Sequence, residues 1–171
     1  MKKIVMIMVV AMIALQSQAQ FSKARLQASG LTCSMCNNAI YKALKALPYV
    51  ASVESDIKNS AFDIVFKQDV AADFDGVKNA VEDAGFSVAS FKITGNFDNV
   101  NIGNDKHIKI GNREFHFLQV KEQVLNGENT ITIVDKDFLT AKNFKKYSAA
   151  TSKSCVGPGK MNGTRVYHVT I

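Results

Sequence analysis

Apolar residues recur at helical spacing in two stretches of this chain and at alternate positions in several others. The order of those two patterns predicts a fold. Residues 23–30, "KARLQASG", alternate and end on glycine, as a strand entering a loop does. Ile40, Leu44 and Leu47 then repeat at helical spacing with Ala43 and Ala46 beside them, while Lys42 and Lys45 fall on the wet side. The spacing predicts an amphipathic helix over 34–47, ended by Pro48. "VASVESDI" and "AFDIVFK" read as two strands joined by turn residues in "IKNSA". Phe74, Val77, Val81 and Ala84 form the stripe of a second helix over 73–84. Asp73 and Asp75 suit its positive N-terminal end, and Gly85 stops it. "FSVASFKI" is the next strand.

Strand, helix, strand, strand, helix, strand is the α+β, ferredoxin-like βαββαβ arrangement, in which two helices cover one face of a four-stranded antiparallel sheet. The remainder is mostly strand. "HIKIG" and "REFHFLQV" flank a Gly111-Asn112 turn, Asn126-Gly127 reads as a second tight turn before "NTITIVD", and "TRVYHVTI" alternates to the end. "DFLTAKNFKKY" is the one helical stretch, and "SKSCVGPGKMNG" is a glycine-rich loop. This half fits a small antiparallel sheet or a partly closed, OB-like barrel. The expected organisation is residues 1–19 as a segment removed on export, 20–95 as the βαββαβ domain, and 96–171 as a small β-rich domain.

The export expectation rests on the first residues. Lys2 and Lys3 precede an apolar run from Ile4 to Leu15, and Ser17-Gln18-Ala19 supplies a small-x-small end. That is the pattern of a secretory signal peptide cleaved after Ala19; the run is shorter than the ~20 residues that span a membrane. The mature chain is expected outside the cytoplasm, in a periplasm, without permanent membrane insertion. Charge changes little. Lys+Arg number 21 against 15 Asp+Glu, and the excess lies in residues 93–171 at net +4, with residues 20–92 neutral. An exported chain meets little nucleic acid, so no nucleic-acid partner is expected. A solvated basic face or an acidic partner fits better.

Three cysteines in an exported chain allow at most one internal disulfide, so the fold must rest on its apolar cores. Two of them, Cys33 and Cys36, stand in "GLTCSMC" where the first strand passes into the first helix. A helix N-terminus offers unpaired N–H groups and partial positive charge, which lowers thiol pKa values. Such a pair can close as a disulfide, work as a redox couple with Cys33 attacking and Cys36 resolving, or hold a soft metal ion. Thiolates favour Cu(I), for which two ligands suffice, whereas structural zinc takes four. Neither a second CxxC nor a nearby Cys/His pair completes a tetrahedral site in the sequence. A redox pair of the thioredoxin kind usually has Trp before it and Gly-Pro inside; here there is no Trp, and Ser34-Met35 lie between the cysteines.

"GLTCSMC" with its helix resembles the G-M-T-C-x-x-C motif of heavy-metal-associated domains, which include copper chaperones, soluble domains of copper-transporting P-type ATPases and the periplasmic mercuric-ion-binding protein. The likeness runs over residues 23–92 and includes "VEDAGFSV". It implies Cys33 and Cys36 as the metal ligands, Gly30 and Thr32 as metal-loop residues and Phe86 as the aromatic near the site. Leu31 stands where methionine is usual, a change that keeps the packed volume. The resemblance implies a binding protein without enzymatic activity, one that carries or buffers Cu(I) and exchanges it with a thiol-containing donor or acceptor such as a membrane metal transporter. Hg(II), Ag(I), Zn(II) and Cd(II) are the other soft or borderline ions such a pair takes. The alternatives are a thiol–disulfide exchanger, a mercuric-ion scavenger and an adaptor to a membrane partner. Of the remaining candidates, Met35 is expected to face solvent or pack on the helix, and His107 and His116 to serve packing or surface roles. Cys155 and Met161 in the glycine-rich loop, with His168 in the last strand, form the one further grouping suited to a soft metal.

Overall fold

The computed structural model describes residues 21–31, 34–68 and 70–171. The expected signal segment lies outside them, as does Cys33. The first half follows the order read from the sequence: β1 (Phe21–Ser29), α1 (Ser34–Lys45), β2 (Val50–Asp56), β3 (Ala61–Phe66), α2 (Phe74–Asp83) and β4 (Ser87–Ile102). The strands lie side by side as β2-β3-β1-β4, every pair antiparallel. The helical stripes explain the packing. Ile40 and Leu44 from α1, and Phe74, Val77 and Val81 from α2, are fully buried against Leu26, Phe62, Ile64, Phe91 and Ile93 of the sheet. Gly85 follows α2 at φ +89°, a conformation in which a side chain is strained. The opposite face is wet, and there Arg25 pairs with both Asp56 and Asp63.

β4 does not stop at the expected 95/96 boundary. Its apolar alternation carries on from Phe91 and Ile93 to Phe97 and Ile102, so the strand runs straight through. β1 lies along its first part and β7 (Gln123–Ile133) along nearly its whole length. β9 (Thr164–Thr170), β6 (Arg113–Phe117) and β5 (Lys106–Ile110) extend the same sheet, in the order β4-β7-β9-β6-β5, and a two-residue β8 (Lys160–Met161) pairs with β9. β6 and β9 are parallel; the other pairs are antiparallel. The β-rich half is therefore an open extension of the first sheet, and among the described residues no pairing closes it into an OB-like barrel.

Two local readings change as well. The Gly111-Asn112 turn joins β5 and β6 as expected, with Ile110 opposite Arg113. Asn126-Gly127 is not a turn. It lies inside β7, with Gly127 at φ +71° opposite Phe97, where β4 carries one extra residue before Val100 and Asn99 has φ +49°. Glycine serves a β-bulge here, since a bulge also needs left-handed backbone. The expected helix shortens to α3 (Ala141–Ser148), capped by the Thr140 hydroxyl, which accepts from the Asn143 N–H; Phe138 is buried just ahead of it.

One core runs through both halves. Phe21 packs against Phe74, Phe97 and Phe115, and Phe74 packs against Tyr167. A salt bridge reinforces the join: Arg165 of β9 donates from Nε and Nη2 to the two carboxylate oxygens of Asp75 in α2, both at 2.9 Å. Tyr167 donates its hydroxyl to Asp75 at 3.0 Å, and Arg165 Nη1 stands 2.9 Å from Asp135 Oδ2. The reverse face of the β-rich half carries a smaller cluster of Leu118, Val134 and Leu139 with Tyr147 of α3.

Candidate metal centre

The first locus is the β1–α1 junction. Gly30 closes β1 at φ +82° with nothing within 4 Å of where a Cβ would stand, so the backbone conformation, not crowding, selects glycine. Leu31 is half-buried and packs on the core, the inward role expected of it; Phe86 packs on the same core beyond Gly85. Cys36 falls in the first turn of α1, half-buried, in a turn without acidic residues to compete for the dipole. Lys42 and Lys45 occupy the other end. Met35 is 83% exposed, in line with the solvent-facing role expected of it.

The second locus brings together residues scattered through the sequence. The β5–β6 hairpin sets His107 opposite His116, and the parallel β6–β9 pair sets His116 opposite His168. The three side chains share the sheet face opposite Phe115, Phe117 and Val169. The rings of His107 and His116 stack at 4.2 Å, and those of His116 and His168 meet edge-on at 5.1 Å. Cys155, in a 3-10 turn over Ser154–Val156, brings its sulfur over them. Its Sγ lies 3.5 Å from His107 Nε2, 3.6 Å from His116 Nδ1 and 3.3 Å from His168 Nε2. His116, His168 and Cys155 are buried, and His107 is half-buried.

Carboxylates hold two of the rings from behind. His116 Nε2 is 2.8 Å from Asp105 Oδ1, which also accepts from the Thr151 hydroxyl at 2.7 Å. His168 Nδ1 is 2.5 Å from Asp135 Oδ1. Burial, outweighing the Asp105 contact, pushes His116 down to about 4; burial also lowers His107 and raises the Cys155 thiol. The surface and packing roles expected for His107 and His116 therefore give way to membership of one cluster. Of the grouping expected in the glycine-rich loop, Cys155 and His168 meet, while Met161 lies exposed in β8.

The signal for half of this cluster was present in the sequence. A two-residue turn at 111–112 fixes the hairpin register and so places His107 opposite His116. The pairing of β6 with β9 joins segments about fifty residues apart, and no local pattern specifies it.

Residues 25–87 match the heavy-metal-associated domain. Among curated proteins, the Arabidopsis thaliana protein named "Probable copper-transporting ATPase HMA5" is 34% identical over 68 residues, which is 40% of this chain and 7% of the relative's length. Among solved structures, the yeast copper transporter domain Ccc2a is 30% identical, with 39% of this chain and 90% of that one covered and a TM-score of 0.35. The CopZ metallochaperone is 26% identical, with 40% and 100% covered and a TM-score of 0.37. Apo-CopP of Helicobacter pylori is 27% identical, with 39% and 98% covered and a TM-score of 0.35. Gly30, the first turn of α1 with Cys36 and the Gly85-Phe86 pair all fall inside the matched residues, and the chain thus carries a heavy-metal-associated domain at residues 25–87, continued by a β-rich half beyond it.

Proposed function

We propose that this protein is an exported carrier or buffer of Cu(I) that holds the ion between the Cys33 and Cys36 thiolates and passes it on by ligand exchange. The observation that carries the reading is the "GLTCSMC" motif between β1 and α1 of a heavy-metal-associated domain, with Cys36 in the first turn of α1. Thiolate sulfur is soft and suits Cu(I). The partial positive charge of the helix end lowers the free energy of the two thiolates. Two ligands leave the ion open to attack by a third thiolate, so a donor or acceptor protein with its own cysteine pair can take the ion without a free-ion intermediate. A membrane copper transporter is the partner whose chemistry fits.

The basic start and short apolar run at residues 4–15 support export to a periplasm. No helix among the described residues is long and apolar enough to cross a membrane. In an oxidising compartment the cysteine pair must be metallated early or kept reduced, because a disulfide binds no Cu(I). The test is an anaerobic Cu(I) titration of the reduced full chain against a competing chelator. Binding of one ion, lost in Cys33→Ser/Cys36→Ser, supports the carrier. Turnover of a disulfide substrate by protein that takes up no Cu(I) replaces it with the exchanger.

A further inference from the structure

We propose that His107, His116, His168 and Cys155 form a second metal site, distinct from the cysteine pair, which holds one borderline divalent transition-metal ion of the Zn(II) type within the β-rich half. Donor atoms from four separate segments gather around the Cys155 sulfur. His107, His116 and Cys155 each offer a ligand atom within 4.8 Å of the others, a set that His168 joins only through the sulfur. Nε2 of His168 lies 3.3 Å from the same sulfur. A tetrahedral ion with bonds of about 2.3 Å to sulfur and about 2.0–2.1 Å to nitrogen holds those ligands about 3.6 Å apart. The three sulfur–nitrogen separations, 3.3–3.6 Å, are close to that figure.

Proton counting argues that hydrogen bonds alone do not satisfy the cluster. Asp105 fixes the proton of His116 on Nε2, and Asp135 fixes that of His168 on Nδ1. In neutral rings the His116 and His168 nitrogens that face Cys155 are then bare lone pairs, with His107 Nε2 a third nitrogen at the same sulfur. The thiol has one proton and satisfies one of them; the other faces sulfur with no proton to share. A cation at the common point satisfies every lone pair, and the thiol proton leaves to solvent as the metal–sulfur bond forms. Metal-ligating imidazoles are characteristically held by a carboxylate on the far nitrogen, as two of these three are.

Cys155, His168 and Asp135 are also in line as a nucleophile, base and orienting carboxylate. Cys155 is 3% exposed and His168 fully buried, so no substrate reaches that sulfur. Two further imidazoles on the same atom have no part in a nucleophilic triad, whereas a metal uses all of them. One thiolate with three imidazoles is a closed, mixed N/S set, which suits Zn(II) as a structural ion and differs from the open two-thiolate pair.

The test uses the full chain carrying Cys33→Ser and Cys36→Ser, stripped of metal under reducing conditions and titrated anaerobically with Co(II), a spectroscopic substitute for Zn(II). The proposal predicts one Co(II) per chain with intense tetrahedral d–d bands and a thiolate-to-cobalt charge-transfer band, all removed by one equivalent of Zn(II). Adding Cys155→Ser should abolish the charge-transfer band and weaken binding at least 100-fold. Adding Asp135→Asn, which leaves all four ligands, should weaken binding about 10–100-fold. The parent double-serine protein is unaltered at the cluster, so its titration is decisive even if a further variant fails to fold. A folded parent that takes up no Co(II) overturns the proposal. Co(II) binding without the thiolate band, or unchanged by Cys155→Ser in folded protein, overturns it equally.

Discussion

Replacing Asp75 with Asn should loosen the whole protein, because this one carboxylate ties α2 of the heavy-metal-associated domain to β9 at the far side of the sheet. The variant removes the charge that receives two hydrogen bonds from Arg165 at 2.9 Å and weakens the one from Tyr167 at 3.0 Å. Hydrogen bonds to charged groups contribute about 1.5–3 kcal/mol each when desolvated, and exposed ion pairs about 0–1 kcal/mol. The Arg165 and Asp75 side chains are 27% and 35% exposed, between those limits. Arg165 also keeps its contact with Asp135, which limits the loss. About 2 kcal/mol is expected. With a urea slope of about 2 kcal/mol per molar, the unfolding midpoint falls by about 1 M.

The pH dependence has a definite sign. Burial raises the Asp75 pKa, but the Arg165 hydrogen bonds outweigh it and hold the carboxyl below its ordinary value. A depressed folded pKa contributes stability above the unfolded value of about 3.9, lost as pH falls through the folded pKa. The gap between wild type and Asp75→Asn should therefore be full at pH 7 and shrink towards pH 3. Urea unfolding followed by far-UV circular dichroism at both pH values measures it. A difference under 0.5 kcal/mol at pH 7, or one unchanged at pH 3, would refute the reasoning that this pair links the two halves.

Three further expectations follow from the same structure. A fragment of residues 20–95 keeps every β1–β4 pair but loses β7 and the Phe97, Phe115 and Tyr167 rings; it should fold with a lower midpoint than the full chain, and an unfolded fragment by circular dichroism would make the two halves one domain. Gly127→Ala puts a Cβ at φ +71° with open space around it, so only backbone strain opposes it; about 1 kcal/mol of stability should be lost, and none lost in chemical denaturation would contradict the bulge assignment. Exported protein should begin at Gln20 by intact mass, and retention of residues 1–19 would remove the support for cleavage after Ala19.

The first half was legible because its signals are local. Ile40 and Leu44, then Phe74, Val77 and Val81, declare helices by spacing alone, and Gly85 marks a stop through a backbone angle. β4 runs past the expected 95/96 boundary because the apolar alternation continues through Phe97. Asn126-Gly127 misled because a type I′ turn and a bulge both require left-handed backbone, and the partner strand alone distinguishes them. The cysteine pair announces itself by a spacing of three. The histidine cluster does not: its four members lie at 107, 116, 155 and 168, and only sheet register and a 3-10 turn unite them.

The central claim is that Cys33 and Cys36 together hold one Cu(I). Its most direct measurement is anaerobic Cu(I) titration of the reduced full chain, with X-ray absorption at the copper edge to count sulfur neighbours. The account predicts one Cu(I) with two sulfur ligands at the first equivalence point, abolished by Cys33→Ser/Cys36→Ser and unchanged by Cys155→Ser. Copper bound by nitrogen, or binding that survives the double serine change at the same affinity, would contradict it.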